Sequence, residues 1–428
     1  MNVLERDFFT DPEILEDPIP YYRALHERGP VVREPHKGVF MLSRADEILE
    51  VYTDHERFSA IVGPLGPLTY VPEPAGGESW REVIERRRNE IPMGDQITSL
   101  DPPTHTRHRT LIGRLFTPRR IKENEEFMWT LADGLIDEFA DRGDVEFAAA
   151  YARPFTLLVI ADLLGVPRED HETFRGWLGG EKGTVGDPEG RHFGDQVFAN
   201  LHPYFSRYIE ERRESPRDDV MSRLASVRFS DGELPEVMDV VRLATIIFAA
   251  GQETTARLLT AAMRILAEQP ALAEELRSDP QAVPNFVEEC LRLESPIKGS
   301  FRLALRDATL AGVHIPAGSI VMAVIGAANR DPHVFPDPEH FDAKRENARH
   351  NIAFGHGEHF CPGASLARAE VRISFERLLA RLGDFRLVDP GALSYIQTFI
   401  IRGLNDLPVR FQRRSEPIPQ EKPHVPSR

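Results

Sequence analysis

The sequence predicts a mainly α-helical protein with small β-sheets (α+β), built as one domain. Three observations predict it. Apolar residues recur at helical spacing over most of the chain beyond residue 105. Short strand-like runs appear only near 31–42 and 301–318. No repeat of fixed period and no linker divides the 428 residues, 41% of which are apolar.

The elements follow in order. Residues 20–28 read as a helix stopped by Gly29-Pro30, and strand-like runs follow at Val31-Val32 and 39–42 before a helix over 45–52. Gly and Pro crowd residues 61–79, which predicts a long irregular loop of the kind that is commonly functional. Helical periodicity then marks 105–116, 121–141, 154–164, 193–213 and 235–268. Asp279-Pro280 and Pro284 punctuate the chain before a helix over 285–294. Strand signals return at 301–305 and 312–318. The prolines of 329–338 exclude regular structure there, because each removes a donor and fixes φ. A last long helix is expected from about 364 to 382. The domain is placed at 1–412, with 413–428 a polar, Pro-rich tail expected to be disordered.

Lys plus Arg total 52 against 68 for Asp plus Glu, a net charge of −16. That balance argues against nucleic acid as a partner unless a basic patch is segregated on one face. No run approaches the ~20 apolar residues of a membrane span. The first residues lack the basic-then-apolar order of a secretory signal, so a cytoplasmic protein is expected. Two cysteines make no disulfide framework in so long a chain. Cys290, on an apolar helical stretch, reads as a small buried residue. Cys361 needs another explanation.

Cys361 lies in Phe354-Gly355-His356-Gly357-Glu358-His359-Phe360-Cys361-Pro362-Gly363, just before the last helix. The glycines permit positive φ and close backbone approach to a flat ligand. Free N–H groups and the helix dipole there stabilise a thiolate. A thiolate is a soft ligand suited to iron, and one cysteine alone makes neither a zinc nor an iron–sulfur site.

The spacing of Phe354, Gly357, Cys361 and Gly363, followed by Leu366-Ala367-Arg368, resembles the haem-binding loop of the cytochrome P450 family. The resemblance runs from about residue 17 to 411. It implies that family's haem-thiolate monooxygenase fold, with a long central helix over the haem. It also implies haem b (iron protoporphyrin IX) with Cys361 as axial thiolate, Phe354, Gly355 and Gly363 in the haem loop, and O2 as co-substrate.

Residues 244–251 are apolar on every face, which places their helix in the middle of a protein. Gln252-Glu253-Thr254-Thr255 follow, and an acid and an alcohol there are costly unless bonded or functional. Gly251 weakens the helix and Thr254 can bond back to the Ala250 carbonyl, and both features allow a local widening. Ala250-Gly251-Gln252-Glu253-Thr254 looks like the family's oxygen-binding motif. By that resemblance Ala250 and Gly251 lie against the haem, and Glu253 and Thr254 are the acid–alcohol pair that delivers protons. Many members carry Asp where this chain has Glu253.

Glu289 and Arg292, three residues apart, share one helix face. The resemblance makes them the buried Glu-x-x-Arg pair, bonded onward to segment 329–341 through Arg330, a folding and haem-retention device. His105 and Arg109 stand one turn apart, with Arg107, His108 and Arg114 as neighbours, and the residues alone equally allow a solvated basic face. The resemblance assigns His105, Arg109, Arg302 and His359 to the haem propionates.

Matching positions put Met93, Ile246, Ile247, Ala250, Ile297, Ser300, Phe399 and Ile400 around the substrate. Mainly apolar, they point to a hydrophobic small molecule: terpenoid, steroid-like, fatty or aromatic. Lys298 reads as solvated or propionate-paired. Electrons are expected from NAD(P)H through a ferredoxin-type partner and its reductase, docking on a basic patch of Arg107, Arg114, Arg119, Arg120, Lys122, Arg368 and Arg372. A monomer is the default. Two alternatives are a peroxide-using haem-thiolate peroxygenase, which needs no acid–alcohol pair, and a non-catalytic haem protein that binds gas or ligand.

Overall fold

The computed structural model describes residues 2–178 and 193–414. Helices dominate. The longest, Val237–Glu268, is apolar enough to be buried over most of its length. At the α-helical rise it is roughly 48 Å long. It packs against the helices Arg153–Leu164, Phe193–Glu214 and Ala364–Arg381. Their inner faces form one large apolar cluster that includes Phe155, Ile160, Phe205, Ile247, Phe248 and Phe375. Local chemistry sets many helix starts. Pro118, Pro154, Pro270 and Pro284 stand in first turns, where a missing N–H costs nothing. Arg153–Leu164 ends on Gly165 in the left-handed region at φ 78°.

Among the described residues, ten short strands are β1 (Val31–Arg33), β2 (Phe40–Leu42), β3 (Phe58–Ser59), β4 (Asp144–Glu146), β5 (Ser300–Ala304), β6 (Ala308–Leu310), β7 (Val313–Ile315), β8 (Ile320–Ala323), β9 (Leu382–Leu387) and β10 (Pro408–Arg413). They form a five-stranded sheet β1-β2-β8-β5-β3, a three-stranded sheet β4-β10-β9 and the hairpin β6-β7. β2 runs parallel to β8, while β5 pairs antiparallel to it with Arg302 opposite Val321. A second apolar cluster, with Phe9, Tyr21, Met41, Phe301 and Phe399, packs against this larger sheet.

Most expected elements are present within a few residues of their predicted ends. The helices Trp80–Arg87, His171–Leu178, Val220–Ala225 and Pro270–Ser278 were not anticipated. Trp80–Arg87 buries only Val83 and Ile84; its start is set by the reciprocal capping box of Ser79 and Glu82, which closes the Gly/Pro-rich loop. Arg413, assigned to the tail, instead ends β10 opposite Leu382, and residues 415–428 lie outside the described residues. No helix among the described residues is long and apolar enough to cross a membrane.

Candidate active site

The cysteine loop is held by its own backbone and by Tyr52. The Cys361 N–H donates to the Phe354 carbonyl at 2.9 Å, closing the loop on itself. Gly357 adopts φ 68°, and a Cβ there would lie 2.8 Å from the Tyr52 carbonyl, so only glycine fits. Cys361 precedes Ala364–Arg381, with backbone N–H groups of Gly363 and Ala364 directed at its sulfur. Burial pushes the thiol up from its ordinary range, while those N–H groups, Arg109 and Arg368 favour the thiolate. The Arg368 guanidinium sits 4.6 Å over the Phe354 ring and is paired with buried Glu288 at 2.5 Å, fixing the loop to the helix Val283–Glu294.

Beside this loop four nitrogen-bearing side chains converge. His105 and Arg109 come from the helix Thr104–Leu115, whose start is tied down by Asp101: its carbonyl receives the His105 N–H at 2.9 Å, and its carboxylate receives the Ala60 N–H at 2.8 Å. Arg302 is buried on β5 and lies 4.9 Å over the Tyr52 ring. The ring of His359 packs on that of His105. Burial, reinforced by Arg109, Arg302 and His108, holds His105 down at about 4. Burial also holds His359 well below the ordinary imidazole range, with Arg302, His105 and Arg109 adding to the effect. Both rings are therefore neutral near pH 7, beside two charged guanidiniums.

Whether haem suits this site can be judged from the donors. Both ring nitrogens of His105 are buried and have no hydrogen-bond partner among the described residues. Among the described residues Arg302 donates only to its neighbour's carbonyl, at 2.8 Å, and Arg109 to the Phe360 carbonyl. The carboxylate nearest His105 is Glu358, 3.9 Å from Nδ1. Two guanidiniums and two imidazoles with so little anionic company fit a ligand bearing two carboxylates, and a lone thiol beside them fits an iron.

The central helix presents its polar pair as the sequence suggests, with two differences. Thr254 Oγ1 donates to the Ala250 carbonyl at 2.9 Å. The local widening that these features allow is not used, and Val237–Glu268 is α-helical throughout. Thr156 Oγ1 from the neighbouring helix bonds the Gln252 carbonyl at 2.9 Å, and a Cβ on Gly251 would meet Ile160 at 3.1 Å. Close packing against Ile160 thus favours a small residue at 251. Nor is residue 244–251 apolar surface buried all round: Ile246 and Ala249 are half-buried and Ala250 is exposed, on the face that also carries Glu253. Glu253 is 3.3 Å from Arg257, and only 11% of its side chain is exposed.

Glu289 and Arg292 form a fully buried pair at 2.7 Å. Arg292 donates to the carbonyls of Asn329 at 2.9 Å, Pro338 at 2.7 Å and His340 at 3.3 Å. Arg330 does not touch the paired side chains; it ties the segment to the same helix through the Leu293 carbonyl and also donates to the Gly326 carbonyl. The second cation on Glu289 is Arg345, at 3.0 Å, which also reaches the carbonyls of Pro336, Asp337 and His340. A stretch of chain without regular structure thereby has its carbonyls satisfied by two arginines.

The substrate positions divide. Ile246, Ala250 and Ile297 remain partly open. Met93 borders a cleft of about 410 Å³, shared with the charged residues Arg88, Glu90, Asp95 and Arg242. Ile247 and Phe399 are not lining residues. Ile247 belongs to the helical core, and Phe399 is 1% exposed and packs edge-on to Phe9 and Phe301. Ile400 is buried in the same cluster. Ser300 is bonded to Tyr52 at 2.7 Å, on the side of Arg302. Lys298 is neither solvated nor paired with a carboxylate; it is 2% exposed and donates to the carbonyls of Leu15 at 2.6 Å and Thr398 at 2.8 Å. The supposed basic patch is largely neutralised as well: Arg107 pairs with Asp231 and Glu233, Arg119 with Glu123, Arg120 with Asp162, Arg368 with Glu288, and Arg372 with Glu125.

Tyr52, Arg345 and Arg257 escape a reading of the sequence. Their partners are 248, 56 and 147 residues away, at Ser300, Glu289 and Leu404, and no local spacing announces such contacts.

The helical fold, the cysteine loop and the cluster of two guanidiniums and two imidazoles beside it together define a haem-thiolate protein. A profile of the Cytochrome P450 family matches residues 190–386. The vitamin D(3) 25-hydroxylase of Pseudonocardia autotrophica is 34% identical over 407 residues, covering 94% of this chain and 95% of that protein. The structure of cytochrome P450 CYP150A6 from Mycobacterium marinum, substrate-free, superimposes with a TM-score of 0.89 at 44% identity, covering 96% and 99% of the two chains. CYP109E1 from Bacillus megaterium, in complex with testosterone, superimposes with a TM-score of 0.76 at 28% identity, covering 92% and 99%. The chain belongs to the cytochrome P450 family. It is a monooxygenase that works with haem, a thiolate ligand and O2.

Proposed function

We propose that the protein inserts one oxygen atom from O2 into a hydrophobic small molecule of steroid-like, terpenoid, fatty or aromatic type. In this reading electrons come from NAD(P)H through a ferredoxin and its reductase, and the protein works in the cytoplasm as a monomer. The observation that carries it is the cysteine loop beside the His105, Arg109, Arg302 and His359 cluster.

Cys361 would hold haem b through its sulfur, and His105, Arg109, Arg302 and His359 would hold the propionates. When bound, the haem supplies the redox-active iron at which O2 is activated. This chain's residues do the rest. The N–H groups of Gly363 and Ala364 favour the Cys361 thiolate against the burial that opposes it. Thr254 Oγ, anchored on the Ala250 carbonyl, holds a proton at a fixed point, and Glu253, one residue earlier, resupplies it. Ile246, Ala250 and Ile297 offer apolar surface that excludes water and takes an apolar substrate. A relative named for hydroxylating vitamin D(3) and a structural neighbour holding testosterone favour the steroid-like end of the range.

The test is the absorption spectrum of the reduced protein under carbon monoxide, beside Cys361→Ala. A strongly red-shifted Soret band lost in the variant is expected. A band typical of histidine ligation in the wild type would remove Cys361 from its role. Titration with vitamin D3 and testosterone, followed by the spin-state change, then tests the substrate class.

A further inference from the structure

We propose that Arg257 is a positioning residue for the Glu253 carboxylate, and that the loop at Gly403 and Leu404 in turn positions Arg257. This rests on the reading of Glu253 as the acid that resupplies protons.

Arg257 stands one helical turn after Glu253, and its Nη2 donates to Glu253 Oε1 at 3.3 Å. Its Nη1 donates to the Leu404 carbonyl at 2.6 Å. The guanidinium is planar and rigid, so fixing one nitrogen on a backbone carbonyl fixes where the other can meet the acid. The stem is confined as well. A Cβ on Gly403 would lie 2.8 Å from Arg257 Cγ and 3.1 Å from its Cβ, and closer still to Cδ. Residue 403 is glycine because the arginine stem runs against the backbone there.

The loop that does this is itself well tied. Tyr395 pairs with Leu404 and Ile297 with Ile401, and the Ile396 N–H donates to the Gly403 carbonyl at 2.9 Å. Arg402 stacks 4.1 Å from the Tyr395 ring and pairs with buried Glu294 at 3.4 Å.

The plainer view is an ordinary i, i+4 ion pair, which on a surface contributes under about 1 kcal/mol. Two features decide against it. Only 16% of the Arg257 side chain and 11% of the Glu253 side chain are exposed, so water screens the pair poorly. A surface pair also needs neither an anchor on Leu404 nor a missing side chain at 403.

The experiment uses holoenzymes carrying Glu253→Gln, Arg257→Gln, Arg257→Lys, Gly403→Ala and the double change Glu253→Gln/Arg257→Gln, each verified by its reduced carbon-monoxide band. NADPH oxidation and hydrogen peroxide release are followed with a [2Fe–2S] ferredoxin and its reductase, in H2O and D2O. Thermal unfolding is followed by circular dichroism.

Arg257→Gln is expected to slow oxidation about ten-fold, the worth of one hydrogen bond to a charged group, and to reproduce the altered solvent isotope effect of Glu253→Gln. Arg257→Lys should recover part of the loss, and Gly403→Ala should reproduce part of it with the charge retained. The double variant should be no slower than Glu253→Gln, and the two losses in Tm should not add. If Glu253→Gln behaves as wild type, the proton-supply reading of Glu253 fails. If Glu253→Gln is impaired while Arg257→Gln is not, or if the Tm losses add fully, the positioning role of Arg257 is overturned. Should Arg257→Gln lack the carbon-monoxide band, Arg257→Lys and Gly403→Ala decide, and wild-type isotope effects in both overturn it.

Discussion

The ring of His105 lies on the ring of His359, centroids 4.1 Å apart and planes inclined by 36°. One ring comes from the helix Thr104–Leu115 and the other from two residues before Cys361, so the contact joins the cysteine loop to a helix over 250 residues away in sequence. Arg109 repeats the link by donating to the Phe360 carbonyl.

Removing these groups should loosen the haem without unfolding the chain. Arg109→Ala and Arg302→Leu each delete a hydrogen bond to a charged partner, about 1.5–3 kcal/mol, or on the order of 10- to 100-fold. His105→Ala deletes a single imidazole hydrogen bond and should cost nearer 1 kcal/mol. Haem transfer to excess apomyoglobin measures it, and unchanged transfer rates in both arginine variants would end the propionate assignment.

Glu289 faces two arginines, and that makes its loss worse than the loss of either. Breaking a buried pair by removing one partner costs about 3–5 kcal/mol, against a total stability of about 5–15 kcal/mol. Glu289→Ala leaves both Arg292 and Arg345 uncompensated and should give little soluble holoprotein. Arg345→Ala keeps the 2.7 Å pair of Glu289 with Arg292 and should be milder. Haem content per mole of soluble protein and Tm measure both; equal losses would show that Arg345, not the pair, holds the segment.

Legibility in the sequence followed the range of the interaction. Cys361, Glu253, Thr254 and the pair Glu289/Arg292 stand in short local patterns, so they could be singled out in the sequence, with their roles supplied by the family resemblance. The long helices were legible because burial repeats along them every turn. Short strands such as β6 and β8 carry too few residues for a period, and their identity comes from partners such as β7 and β5. The substrate positions were the least legible. An apolar residue looks the same in sequence whether it lines a pocket, as Ile246 can, or fills a core, as Phe399 does.

Lys298 leaves a signature in the pH dependence of stability. Burial, with Arg402 adding and Glu16 and Asp17 opposing, holds it down at about 7 against an ordinary 10.5. Below pH 7 it is charged in both folded and unfolded states, and its burial penalty is fully present. Between pH 7 and about 10 the unfolded chain binds the extra proton, so this group's contribution to stability rises with pH. Lys298→Met removes that rise. The stability of Lys298→Met relative to wild type should therefore be highest near pH 6 and fall towards pH 9. Urea unfolding at the two pH values measures it, and a difference independent of pH would mean that Lys298 titrates normally.

Among the cations proposed to receive the electron donor, Arg114 and Lys122 are exposed and have no ion pair among the described residues, whereas Arg119 is already matched by Glu123 at 2.9 Å. Arg114 lies on the helix that carries Arg109, and Phe360, next to Cys361, is 43% exposed. An unpaired charge projects a field that a paired one does not. That field reaches about 10 Å at 0.1 M salt and about 3 Å at 1 M. Arg114→Glu should therefore slow reduction by a ferredoxin several-fold at low salt, Lys122→Glu should act similarly, and Arg119→Glu should act less. The three rates should converge on wild type at high salt, because steering changes encounter and not the electron-transfer step itself. Stopped-flow reduction under carbon monoxide measures it. Equal effects at Arg114 and Arg119, or effects that persist at 1 M salt, would place the donor on another face.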